Sequence, residues 1–250
     1  MSLTYCLFKC NRSTLVTCLV STCYFSTAFQ TVSAQEDDRF SMDVQLFSDQ
    51  FWGFYPYFSG AYKLNSKLDF TFYGILWAGG EGAAWGNWTE FGVGLGFEPV
   101  KGIYISPQIG ILGGSLLSKG ADGPGILGDG IVPNFTVTLK KEKTEGEVAI
   151  WYYAPLRNEA PLGGTTLSYL HYLANFGFKA SEFFSFGAHY EKLINTGGSN
   201  ITAPSTELEW LGPYVQFKNP KGGAFVRFTF GKDFYEGNES FYRLATGFSF

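Results

Sequence analysis

The nine residues Glu90-Phe91-Gly92-Val93-Gly94-Leu95-Gly96-Phe97-Glu98 put a large apolar side chain at every odd position and glycine or glutamate at every even one. Side chains of an extended chain point alternately to opposite faces, so this period of two describes a strand with one apolar face and one small or polar face. The pattern recurs. Phe184, Phe186, Ala188 and Tyr190 interleave with Ser185, Gly187, His189 and Glu191, while Ala224, Val226, Phe228 and Phe230 alternate with Phe225, Arg227 and Thr229. Working outward in both directions, twelve such segments are expected, at 40–48, 54–63, 67–78, 87–98, 101–112, 131–140, 145–154, 165–179, 183–192, 206–218, 223–231 and 240–250.

Alternation alone fits a soluble sandwich as well as a membrane barrel, and the connections separate the two. Even-numbered connections are tight: Leu64 to Ser66, Pro99 and Val100, Lys141 to Thr144, Ala180 to Glu182, and Asn219 to Gly222. Odd-numbered ones are longer, apart from the first at Asp49 to Gly53. An antiparallel up-and-down barrel that spans a membrane has this asymmetry, with both termini on the side of the short turns. A sandwich has no reason to produce it. The fold class expected is therefore all-β, a transmembrane antiparallel barrel of about 12 strands, within a range of roughly 10 to 14.

Composition supports an ordered chain rich in strands. Among 250 residues there are 26 Phe, 15 Tyr and 32 Gly but only 16% charged residues, which excludes a solvated disordered chain. All four cysteines, Cys6, Cys10, Cys18 and Cys23, lie near the start, where Lys9 and Arg12 precede an uncharged run that ends in Val32-Ser33-Ala34. Residues 1–34 are expected to be a cleaved signal peptide, and 35–250 a single barrel domain. A retained anchor or a lipoprotein signal ending at Cys23 would be the alternatives, and export is common to all three. Removing Lys9 and Arg12 but no acid takes the formal net charge from −4 to −6, which argues against nucleic acid as a partner.

All six tryptophans fall near the ends of long connections. An indole has an apolar ring and one N–H donor, so it suits the lipid headgroup level. Trp77, Trp88, Trp151 and Trp210 are expected to form a membrane-interface girdle. The C-terminus, Tyr242-Arg243-Leu244-Ala245-Thr246-Gly247-Phe248-Ser249-Phe250, alternates again and ends on an aromatic residue. In Tyr242, Leu244, Phe248 and Phe250 it resembles the assembly signal of bacterial outer-membrane β-barrel proteins, with Thr246 a mild departure. The chain is thus similar to porin-like outer-membrane families that are themselves uncharacterised. That resemblance implies a bacterial outer-membrane location, with the lipid bilayer, the outer-membrane assembly machinery and small solutes as partners.

If the apolar faces meet lipid, the other parity lines the lumen. It carries Lys67, Asp69, Glu90, Glu98, Glu145, Glu147, Ser185, His189, Glu191, Arg227 and Arg243. Arg227, Arg243, Glu147, His189 and Glu191 are the candidate lumen-lining set. Arg227 and Arg243 sit on neighbouring strands, where they would either line a constriction that biases passage or join a salt-bridge cluster with acids such as Glu147 or Glu191. The glycine-rich connection from Gly113 to Gly130 could fold into the mouth, but an external mobile loop is the simpler expectation.

Catalysis needs a base beside a nucleophile. The two histidines, His171 and His189, have no serine at the right spacing: Ser185 is about 13 Å along the same face from His189, and Ser168 faces away from His171. No enzyme, no cofactor and no metal site are expected. The function expected is a porin-like channel for passive diffusion of small solutes. A closed structural or surface-interaction barrel is the alternative, with an outer-membrane hydrolase behind it.

Overall fold

A computed structural model describes residues 37–77, 88–114, 116–119, 126–156, 165–199, 201–221 and 223–250. The expected signal peptide, and Trp85, lie outside the described residues. Thirteen strands follow one another: β1 (Phe40–Asp49), β2 (Gly53–Lys63), β3 (Asp69–Trp77), β4 (Trp88–Val100), β5 (Ile103–Gly114), the two-residue β6 (Ser118–Lys119), β7 (Ile126–Lys140), β8 (Thr144–Pro155), β9 (Thr165–Lys179), β10 (Phe184–Gly198), β11 (Ser205–Lys218), β12 (Phe225–Asp233) and β13 (Ser240–Ser249). All but β6 pair antiparallel with their sequence neighbours, and β1 pairs with β13 from Asp43↔Ser249 to Asp49↔Arg243. The result is a closed barrel of twelve strands. Closure leaves no unpaired sheet edge, which backbone amides surrounded by hydrocarbon require.

The two parities separate as expected. Phe91, Val93 and Leu95 of β4, Phe186 of β10, and Val226, Phe228 and Phe230 of β12 are exposed on the outer wall. Between them Glu90, Ser185, His189, Glu191 and Thr229 are buried inside. Inward glycines make room for inward tyrosines. Tyr73 lies across the wall so closely that a Cβ on Gly92 would stand 2.1 Å from its ring, and one on Gly110 2.2 Å from its hydroxyl. The small face of the β4 pattern is therefore a recess into which an aromatic ring is laid.

Three features depart from the expectation. Strand β7 begins at Ile126 and β10 continues to Gly198, several residues further toward the long connections than the alternation indicates. There backbone pairing carries the strand, without an alternation of apolar and polar side chains. Backbone pairing continues through an irregularity to Gly198↔Leu167. Second, β4 runs through Pro99 to Val100, and the tight connection is Lys101-Gly102 instead of Pro99-Val100. Gly102 has a φ of +83°, which suits the turn, while Pro99, lacking an N–H, sits where the β4–β5 register shifts. Third, the described part of the glycine-rich connection is not an external loop. Leu117 is fully buried in the barrel mouth, its N–H donates to Asp129 Oδ2 at 2.7 Å, and Leu167 N–H donates to Leu117 O at 2.8 Å. Asp129 binds this segment through two donors, since Ser118 Oγ also donates to its other oxygen.

Candidate functional site

The site is the lumen, and its chemistry changes along the axis. Toward the tight turns it is polar. Glu145 accepts from Ser185 Oγ at 2.8 Å, Tyr214 Oη at 3.1 Å and Gln216 Nε2 at 3.2 Å, tying β8, β10 and β11 together across the interior. Gln216 in turn accepts from Arg227 Nε at 2.9 Å, and the Arg227 guanidinium lies 4.6 Å from the centre of the Tyr214 ring. Also inside the lumen, between β3 and β5, Tyr104 Oη donates to Asp69 Oδ2 at 2.8 Å, and Gln108 Nε2 to Thr71 Oγ1 at 2.9 Å.

Further up, carboxylates become fully buried and collect more partners. Glu90 accepts from Tyr73 Oη at 2.7 Å and Trp77 Nε1 at 3.3 Å, while Asn134 Nδ2 donates to the same tyrosine oxygen at 2.9 Å. Glu191 holds a second cluster. It is paired with Arg243 through both guanidinium NH groups, His171 Nε2 lies 2.9 Å from its Oε1, and His189 Nε2 lies 3.1 Å from its Oε2 but off line for a hydrogen bond. Arg243 Nε also donates to Asp49 Oδ2 at 2.9 Å. Asp49 and Arg243 are register partners on the first and last barrel strands, so this ion pair clasps the seam where the barrel closes. The other Asp49 oxygen accepts from Phe51 N and Trp52 N, shaping the first connection. A buried guanidinium between two carboxylates satisfies charge that would otherwise be costly inside the wall.

At the end of the long connections the lumen is filled by an aromatic and aliphatic core. Trp210, Leu208, Leu112, Leu117 and Val132 are fully buried there, and the Trp210 and Phe241 rings stack at 4.7 Å. Two cavities are lined by described residues. The upper one, of about 170 Å³, is lined by Phe51, Trp52, Trp77, Trp88, Leu116, Tyr153, Tyr169, Leu193 and Glu207. The lower one, of about 100 Å³, has Glu147, Asn175, His189, Arg227 and Arg243 among its lining residues. Trp77 and Tyr153 line both and form an aromatic septum between them. Trp52 and Tyr55 brace it, with ring centres 4.7 and 4.8 Å from Trp77.

The lumen-parity residues thus fall into distinct roles. Glu191, His189 and Arg243 meet in one buried cluster at the edge of the lower cavity, which Arg227 and Glu147 also line. Arg227 is opposite Ala245, two residues from Arg243, so the two arginines are diagonal neighbours whose head groups bind different partners. Lys67 and Glu98 lie exposed near the tight turns instead of in the lumen. Tyr242, Leu244, Phe248 and Phe250 all lie exposed on the outer face or at the terminus.

The tryptophan girdle is overturned. Trp77 and Trp210 are buried, Trp88 pairs with Trp77 and lines the upper cavity, and Trp151 stacks on the buried His171 at 5.1 Å. Each shares its strand parity with an inward residue: Trp77 with Tyr73, Trp88 with Glu90, Trp151 with Glu147, and Trp210 with Tyr214. This parity is legible in the sequence, where it opposes the girdle expected from position near a loop. At the corresponding level the outer wall carries tyrosines, Tyr152, Tyr172, Tyr190 and Tyr242, which have the same mixed apolar and polar character. Asp49 is not marked by the sequence, because its role depends on the register in which β13 meets β1.

Neither histidine has a serine beside it. Ser185 donates to Glu145, His189 Nδ1 lies 2.7 Å from Asn175 Oδ1, and His171 bonds to Glu191. Among the described residues no group of three or more His, Cys, Asp or Glu side chains is arranged to hold a metal ion.

Residues 9–250 match the profile of a family of unknown function, DUF6733. The chain belongs to this family. Comparison with curated proteins finds no match. Among solved structures, the family member is similar to the NanC porin at 8% identity, covering 83% of this chain and 98% of that one with a TM-score of 0.50. It is similar to an outer-membrane channel of Pseudomonas putida F1 at 10% identity, covering 84% and 95% with the same TM-score. At such identities the likeness is one of fold, that of a porin-like β-barrel.

Proposed function

We propose that the chain is exported through its N-terminal 34 residues into a bacterial outer membrane, where it acts as a narrow channel for passive diffusion of small solutes. The observation that carries this reading is that two cavities in the lumen share the side chains of Trp77 and Tyr153 in their lining. Movement of these two rings, with Trp52 and Tyr55 packed against Trp77, would join the cavities. The porin-like fold is consistent with this use of the interior. Arg227 and Glu147 in the lower cavity would set solute or ion preference, while Arg243, bound on both sides by carboxylates, holds the wall.

A second reading has its own support. The stacked and fully buried Trp210, Leu208, Leu112 and Val132 are packed as a protein core is packed, which suits a closed structural barrel. Planar-bilayer conductance of the protein extracted from membranes decides between them. The channel reading expects discrete current steps that grow larger in Trp77→Ala, and an ion preference that changes in Arg227→Ala. Silence in the wild type together with silence in Trp77→Ala, from samples that still show a heat-dependent gel shift, establishes the closed barrel instead.

A further inference from the structure

We propose that the upper cavity is a binding site for a small quaternary ammonium solute. This deepens the channel reading by naming a solute class, and it rests on that reading only for the onward passage of the solute. Six of the nine lining residues are aromatic: Phe51, Trp52, Trp77, Trp88, Tyr153 and Tyr169. The faces of such rings carry partial negative charge and attract a cation whose hydration is weak, and enclosure by several rings is the usual way proteins hold quaternary ammonium groups.

Size agrees with this. A cavity of about 150 Å³ suffices for a benzene-sized guest, so one of about 170 Å³ accepts a trimethylammonium head and part of its tail.

Charge narrows the class. Among the described residues Glu207 is the only charged one that lines the cavity, and no described lysine or arginine does. It is the extra residue of a β-bulge, since Leu193 pairs with Leu208 and Ile194 with Thr206, leaving Glu207 out of register. A bulge re-aims a side chain, which accounts for Glu207 reaching a lumen cavity from a position whose neighbour Leu208 faces inward. Its oxygen accepts from Ser205 Oγ at 2.9 Å, and none of the ion pairs among the described residues involves it. An anionic solute would be repelled by this carboxylate. A primary ammonium ion is strongly hydrated and would give up that hydration for a lining made mostly of aromatic rings. A quaternary ammonium ion has a permanent positive charge and no donors to satisfy, so rings and one carboxylate meet all of its requirements.

The test is calorimetric titration of choline into the membrane-extracted protein in a maltoside detergent, beside its uncharged carbon isostere 3,3-dimethylbutan-1-ol. Choline should bind saturably and the isostere at least about fivefold more weakly. Glu207→Gln and Trp88→Leu should each weaken choline binding by about fivefold or more, with the heat-dependent gel shift retained. Equal or tighter binding of the isostere would show a merely apolar cavity and overturn the proposal. So would the absence of saturable choline binding, or binding insensitive to both substitutions. The two readings fail separately. Conductance without choline binding removes the site and leaves the channel, whereas choline binding without conductance removes the channel and leaves the site.

Discussion

Arg243 shows how much rests on one side chain. It reaches Asp49 across the closing seam and Glu191 across the lumen, and all three groups are buried. Removing the guanidinium leaves Asp49 with only its backbone donors and Glu191 with only its histidines, and breaking a buried pair of this kind costs on the order of 3–5 kcal/mol. Arg243→Met should therefore lower the urea midpoint for loss of the compact gel band far more than Arg227→Met. Arg227 bonds to the neutral Gln216, and losing a bond of that kind costs about 1–3 kcal/mol. Equal midpoint losses in the two variants would refute the clasp. The role of Arg243 was only half legible: its inward parity could be read from Tyr242 and Leu244 on either side, but its partner Asp49 lies 194 residues away.

At the level of the strand, parity is the controlling quantity. A strand has two faces and no third choice, so a residue two places from a known inward residue is also inward unless a bulge intervenes. Trp88, two residues before Glu90, obeys this rule, and Glu207 at its bulge is the exception that the register explains. The consequence can be measured by fluorescence. In a Trp85→Phe background, the remaining five tryptophans should be only weakly quenched by lipids brominated near the headgroup. Strong quenching would return Trp77, Trp88, Trp151 or Trp210 to the outer wall. The tyrosines on that wall take the interfacial positions because a phenol, like an indole, has an apolar ring and a polar tip.

For the whole barrel, two different solvents shape the two surfaces. The outer wall must be apolar because lipid offers no hydrogen bonds, and the lumen must either hydrate its polar groups or pair them. This lumen mostly pairs them, and at the long-connection end it replaces them with a packed aromatic core. The last strand belongs to the outer surface as well as to the seam. Tyr242, Leu244 and Phe248 are exposed on it, and Phe250 is 78% exposed at the terminus. We propose that these four residues are read by the outer-membrane assembly machinery. Phe248→Asp should then reduce the fraction of heat-shiftable protein in the membrane several-fold. An unchanged fraction would leave this residue without an assembly role.

The strand periodicity and the alternation of long and short connections were enough to predict a barrel of about twelve strands and the outward or inward sense of most side chains. Both are local properties, carried by a period of two and by connection length. The register in which the last strand meets β1, the carboxylate that meets Arg243, and the entry of Leu117 into the mouth were not legible, because each depends on contacts between residues far apart in the chain. The division of the lumen into an aromatic upper cavity and a charged lower one is of the same kind. Trp77 and Tyr153 come from different strands and share a wall only once the barrel has closed. Sequence determined the faces of the strands, and the tertiary structure decided which faces meet, because closing the sheet brings its inward side chains together across the axis.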